Sequence, residues 1–171
     1  MITAGVQSFR DTTSHMADSS GQIRMTRVQL RGSLTGNNPG DSVSVLGITS
    51  TRSGQPTLDL ALISTFANRP APVPFAVSTA TAASASGGLL DAALVQITGA
   101  NIADTATVSP DFVIHASDGS GALTIVIDPT LNLPRTVFRP GFSLSPRGVL
   151  LPNGAGAWLL KPRNGGDIVL N

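Results

Sequence analysis

The chain carries one hairpin twice, a hundred positions apart. His15, Asp18, Ser20, Gly21 and Ile23 recur as His115, Asp118, Ser120, Gly121 and Leu123, in the pattern His-x-x-Asp-x-Ser-Gly-x-(Ile/Leu). Downstream, the block from Pro39-Gly40 to Ile48 recurs as the block from Pro140-Gly141 to Val149, now at an offset of 101. Growth of the offset by one residue fits a single change of loop length between blocks that keep their order. Collinear repetition of this kind marks a duplicated structural unit. The chain must therefore fold as two copies of something small.

Composition says what that something is made of. The 171 residues leave room for two small domains. All ten acids are Asp, and ten of the eleven cations are Arg, with Lys161 the exception. Glu and Lys, which favour helices, are thus almost absent, whereas Asp favours turns and caps. Eighteen Gly and twelve Pro add the punctuation of a strand-and-turn protein.

The pattern along the chain agrees. Residues 2–9 read as a strand, 18–21 as a turn, and 22–30 as a strand with imperfect alternation. After the turn signal Asn37-Asn38-Pro39-Gly40, residues 42–48 alternate with Val43 and Val45 on one face. Gly47 suits a bulge or a barrel corner. Residues 57–66 complete the first copy, so 1–66 is expected to form one barrel. Residues 67–77, with Pro70, Pro72 and Pro74, read as a semi-rigid linker. The second copy, 78–171, opens with a short helix capped by Ser78 or Thr79 and stopped by Gly87-Gly88. Strands follow near 93–103, 111–116, 122–128, 142–150, 157–160 and 168–170. About five evenly spaced strands per copy fit small barrels or sandwiches. The corner glycine favours an all-β chain of two tandem, OB-like, five-stranded barrels, with a pair of Ig-like β-sandwiches as the other arrangement.

Residues 18–23 follow the pattern Asp-x-(Ser/Thr)-Gly-Gly-Ile with Gln22 at the second glycine, and Gly40-Asp41-Ser42-Val43-Ser44-Val45-Leu46-Gly47 follows Gly-Asp-x-Val-x-Val-x-Gly. In these motifs, and in its ending from Leu150 through Trp158 to Leu170, the chain resembles the tandem OB-fold-like modules of bacterial secreted and cell-surface proteins. In the second copy Phe142 replaces the Asp and Pro146 interrupts the strand. The resemblance implies a periplasmic or extracellular setting, with the leader absent from this chain. Such modules accompany nuclease, phosphatase or surface-anchoring domains, and no such catalytic domain is recognisable here.

The chemistry-bearing residues point the same way. A formal charge of +1 provides no field that would gather nucleic acid, anionic lipid or acidic substrates. The absence of Cys excludes disulfides and thiolate metal sites. No apolar run is long enough to span a bilayer as a helix. His15 and His115, each three residues before an Asp, could serve a metal only if ligands from both copies converged; a hairpin turn explains them more simply. Asp118-Gly119-Ser120-Gly121 opens like a calcium loop but lacks the later oxygen ligands. No Gly-x-Ser-x-Gly or phosphate-cradling loop occurs. The expectation is therefore no catalytic residue, no metal and no cofactor.

Binding remains. Arg24, Arg27 and Arg31 could line one ribbon of the first copy. Arg139, Arg147, Trp158, Lys161 and Arg163, close in sequence to Phe138 and Phe142, form the better candidate surface, since Arg and Trp anchor interfaces and aromatics stack on bases. The leading expectation is a non-catalytic accessory subunit that binds a protein partner and braces a larger extracytoplasmic assembly. The alternative is a single-stranded nucleic-acid binding module accessory to a secreted nuclease.

Overall fold

Turns rich in Asp, Asn and Gly break the chain into short strands, and these strands pair into rings. A computed structural model describes residues 1–6, 8–31 and 37–171, divided into the units Met1–Val73 and Pro74–Asn171. The first unit contains β1 (Ile2–Ala4), β2 (Ser14–Asp18), β3 (Gly21–Met25), β4 (Gln29–Arg31), β5 (Ser42–Arg52) and β6 (Gln55–Ala67). β1 pairs with β2 and β2 with β3, all antiparallel; β3 then runs parallel to β6, which pairs antiparallel with β5. Ile2 N donates to Asp41 O and Gly40 N to Ile2 O, both at 2.9 Å, which ties β1 to the start of β5.

The second unit repeats this order. It contains β7 (Phe75–Ala76), α1 (Thr79–Ser84), β8 (Leu94–Gln96), β9 (Ala100–Val108), β10 (Asp111–Ser117), β11 (Leu123–Ile127), β12 (Ser143–Pro152), β13 (Trp158–Lys161) and β14 (Ile168–Leu170). The ring runs β9–β10–β11–β13–β12 and back to β9, with β11 and β13 its parallel pair. A path that returns to its first strand is a closed barrel, so each unit is an OB-like five-stranded barrel and the Ig-like sandwich is excluded.

The registers expose the duplication again. Arg24 pairs with Thr57 as Thr124 pairs with Leu159, so the offset reaches 102 at the last ring strand. A Cβ added at Gly47 would lie 3.1 Å from Asp59 O, and one at Gly148 would lie 2.5 Å from Lys161 O. These glycines stand at one corner of both barrels, where two backbones approach too closely for a side chain. A register shift between Leu46 and Ile48 marks the bulge expected at Gly47.

The cores differ in size. Ile114, Leu123, Ile125, Leu144, Leu150 and Leu160 fill the second barrel, while the first rests on a smaller cluster of Ile2, Met25, Val28, Ala61 and Ile63. Helix α1 is capped by the Ser78 side chain, which accepts from Thr81 N, and ends at Ala85 in the left-handed region.

Three expectations shift. The run 22–30 is two strands, because Arg27 adopts φ 49° and turns the chain between them. Of residues 2–9 only Ile2–Ala4 is strand, and Gln7 lies outside the described residues. Within 67–77, Phe75–Ala76 pairs with β8 as an edge strand of the second unit.

Candidate functional site

Side chains on a barrel strand alternate between core and outer face, and β10 sets the phase for the second unit. Phe112, Ile114 and Ala116 belong to the core. The other phase carries Asp111, Val113 and His115. Val113 stands opposite Ala106 on β9 and Val126 on β11. His115 stands opposite Asp104 and Thr124, and Thr124 opposite Leu159 on β13. Facing residues share a side of the sheet, so these rows make one outer surface. On it opens a cavity of about 300 Å³ lined by Val108, Val113, Val126, Leu151, Leu159 and Lys161, with Asp111 and Pro152 beside them.

The charge on this face is spent locally. Lys161 Nζ lies 3.6 Å from Asp128 Oδ2, and the Asp128 side chain is fully buried. His115 Nδ1 sits 2.5 Å from Asp104 Oδ1. An apolar floor, a lysine matched by a buried carboxylate and acids at the rim can take up an apolar group. A phosphate would meet no unmatched positive charge among these residues.

The five sequence-selected residues do not form one surface. The Trp158 indole is 9% exposed and donates from Nε1 to Asp91 Oδ1 at 2.7 Å, so neither ring face is open for stacking. Arg147 and Arg163 converge on the buried Asp167. Arg163 holds that carboxylate through Nε and Nη2 at 2.8 Å each, while Arg147 Nε lies 3.6 Å from it and Nη2 donates to Gly166 O. This pair fastens the turn into β14. Lys161 belongs to the cleft, and Arg139 is exposed, donating to Thr136 O at 3.0 Å. The cleft residues themselves had a sequence signal. Phe112-Val113-Ile114 and Ile125-Val126-Ile127 are unbroken apolar runs, where a strand with a wet outer face would alternate.

In the first unit the matching face is covered. His15, opposite Arg24 on β3, is 1% exposed, and the Phe9 ring packs edge-on against it with centroids 5.5 Å apart. Burial, helped by the Arg24 charge, lowers the His15 pKa to about 3. Arg24, Arg27 and Arg31 do not line one ribbon: Arg24 is buried, Arg27 pairs with Asp59, and Arg31 is exposed on β4. Among the described residues no three His or acidic side chains converge as a metal site would require. The Asp118 turn does something else with its oxygens. Its carboxylate accepts from Ser120 and from Thr79 at the start of α1, and these bonds hold its pKa well below the usual carboxylate range.

No family model and no curated protein matches the chain. Among solved structures it is similar to asparaginyl-tRNA synthetase from Pyrococcus horikoshii, at 13% identity and a TM-score of 0.44, over 55% of this chain and 21% of that one. The chain thus spans about a fifth of that synthetase. The S. pombe Stn1–Ten1 complex gives 19% identity and a TM-score of 0.39 over 46% of this chain and 57% of the other. A murine DNA-binding protein bound to double-stranded DNA gives 9% and 0.42 over 93% and 83%. Likenesses at this level assign no ligand; the barrel order rests on the strand pairings above.

Proposed function

We propose that the chain is a non-catalytic binding module of the OB-like type, whose second unit takes an apolar segment of a partner protein on the face of β10, β11 and β13. The cleft carries this reading: Val113, Val126 and Leu159 line a cavity of about 300 Å³ bordered by Asp111. Clefts with a mostly apolar lining and a few placed charges are the usual form of a recognition site. The extracytoplasmic setting rests on the motif resemblance alone.

A second reading, binding of single-stranded nucleic acid, is favoured by the first unit. That unit holds six Arg against four Asp, a net of +2, whereas the second holds five cations against six Asp, a net of −1. Arg10, Arg31, Arg52 and Arg69 are exposed in it.

One experiment separates the two. Chemically cross-linked complexes are recovered from the native source with the wild-type chain and with Val126→Asp, and backbone hydrogen exchange is followed at Val113 and Val126. The proposal expects a stoichiometric protein partner that protects these amides and is lost in the variant. Oligonucleotide binding that weakens steeply with salt, with no protein partner on the cleft, would overturn it in favour of the second reading.

A further inference from the structure

The two copies of the hairpin turn meet different neighbours. In the second unit, Thr79 N and Oγ1 donate to the Asp118 carboxylate at 3.0 and 2.6 Å, and Ala80 N donates to Ser120 Oγ at 3.1 Å. Ala80 then lies so close to Gly121 that a Cβ there would come within 3.1 Å of its own. Anchored in this way, α1 packs on β10, β11 and β13, with Thr79 and Ala82 fully buried. Ala116, Leu123 and Leu160, at this end of the barrel, are at most 1% exposed.

The first unit keeps the receptor, and no helix packs on it among the described residues. Ser20 N and Oγ donate to Asp18 Oδ1 at 2.7 and 2.5 Å, as Ser120 N and Oγ donate to Asp118 at 3.0 and 2.6 Å. The registers make Met16, Ile23 and Leu58 the counterparts of Ala116, Leu123 and Leu160. These three are only half-buried, and with Asp18 and Ser20 they line a cavity of about 280 Å³. Where Ala80 presses on Gly121, a Cβ at Gly21 would meet nothing within 4 Å among the described residues.

We propose that this open end of the first barrel docks a short, alanine-rich helix of a partner protein, opening with Thr or Ser whose amide and hydroxyl bond to Asp18. The duplicated unit shows the chemistry of the occupant, because its equivalent groups already hold such a helix. The exposed Asp18 carboxylate complements the positive end of a helix. Met16, larger than the alanine at its counterpart, leaves less depth and selects small side chains. The site is independent of the cleft in the second unit, since it uses another face of another barrel.

The probe is a capped peptide of residues 77–88 of this chain, titrated at millimolar concentration into the isotope-labelled 171-residue protein. The expected result is a set of amide shifts at Asp18, Ser20, Gly21 and Leu58, with those of Asp118 and Ser120 unmoved. Asp18→Asn retains the turn and should weaken binding roughly tenfold, as loss of a charge-assisted hydrogen bond does. A peptide carrying Thr79→Val should lose affinity similarly. Three results overturn the proposal: no shift at Asp18 and Leu58; equal affinity for Asp18→Asn; or peptide-free dimerisation through these residues, which would make the occupant a second copy.

Discussion

His15 and His115 hold one position in two copies of one hairpin, and their surroundings are opposite. Around His15 the Phe9 ring seals the outer face, while among the described residues the barrel end beside Asp18 stays open. The His115 side chain itself is partly exposed, the outer face beyond it opens to the cleft at Val113 and Val126, and α1 closes the barrel end beside Asp118. The barrel frame is the same in both. What distinguishes the units is which surface each one covers with its own chain. In a duplicated fold, the surface left uncovered is where the copies are free to differ in what they bind.

The largest expected break in this comparison is at Trp158. Trp158→Ala removes a buried aromatic and strips Asp91 of its indole donor, so the second unit should lose about 3–5 kcal/mol in denaturant unfolding. Its counterpart by register is the exposed Pro56, and Pro56→Ala should change the first unit's unfolding free energy by less than about 0.5 kcal/mol. Equal losses would show that the two barrels are held together alike.

Next comes the sealed histidine. The folded pKa of His15 lies at about 3, below the unfolded value of 6.5, so the unfolded chain takes up the proton first. Its contribution is complete above pH 6.5 and is lost as the pH falls toward 3, at about 1.4 kcal/mol per pH unit. The first unit should lose about 3 kcal/mol between pH 7 and 4, and His15→Leu should flatten that slope. A slope unchanged in the variant would place the acid sensitivity elsewhere.

The smallest contrast lies in the turns. Asp118→Ala takes away the anchor of α1 and should cost about 1 kcal/mol, with fraying of Thr79–Ser84 visible in amide exchange. Asp18→Ala, at a turn that holds no helix among the described residues, should leave the midpoint of its unit almost unmoved. A larger effect at Asp18 than at Asp118 would contradict the picture of an empty receptor.

Much of the frame was legible in the residues. The repeated hairpin, the Gly47 bulge and the Ser78 cap each depend on local chemistry, which short motifs report directly. Side-chain phase was harder. In Trp158-Leu159-Leu160 both phases are apolar, so period-two patterning could not tell that Trp158 enters the core while Leu159 and Lys161 line the cleft. Arginines near in sequence looked like one surface until their partners were known: Asp167, far from Arg147 along the chain, draws Arg147 and Arg163 into a structural clasp. The covering of His15 comes from Phe9, which lies in a turn and not in a strand. No alternation pattern announces that Phe9 belongs over a strand six residues further on.

The parallel pair that closes each ring also sets an order of events in time. The first ring needs β6 only as far as Leu58 to meet β3, so it can close while the second unit is still being synthesised. The second ring has no such head start. Until Trp158–Lys161 emerges from the ribosome, β11 has hydrogen bonds on one side only, and its apolar Leu123–Ile127 stands as an open edge. During that interval the nascent chain is most exposed to pairing with the wrong strand, a hazard built into the same topology that leaves the finished barrel without an edge there.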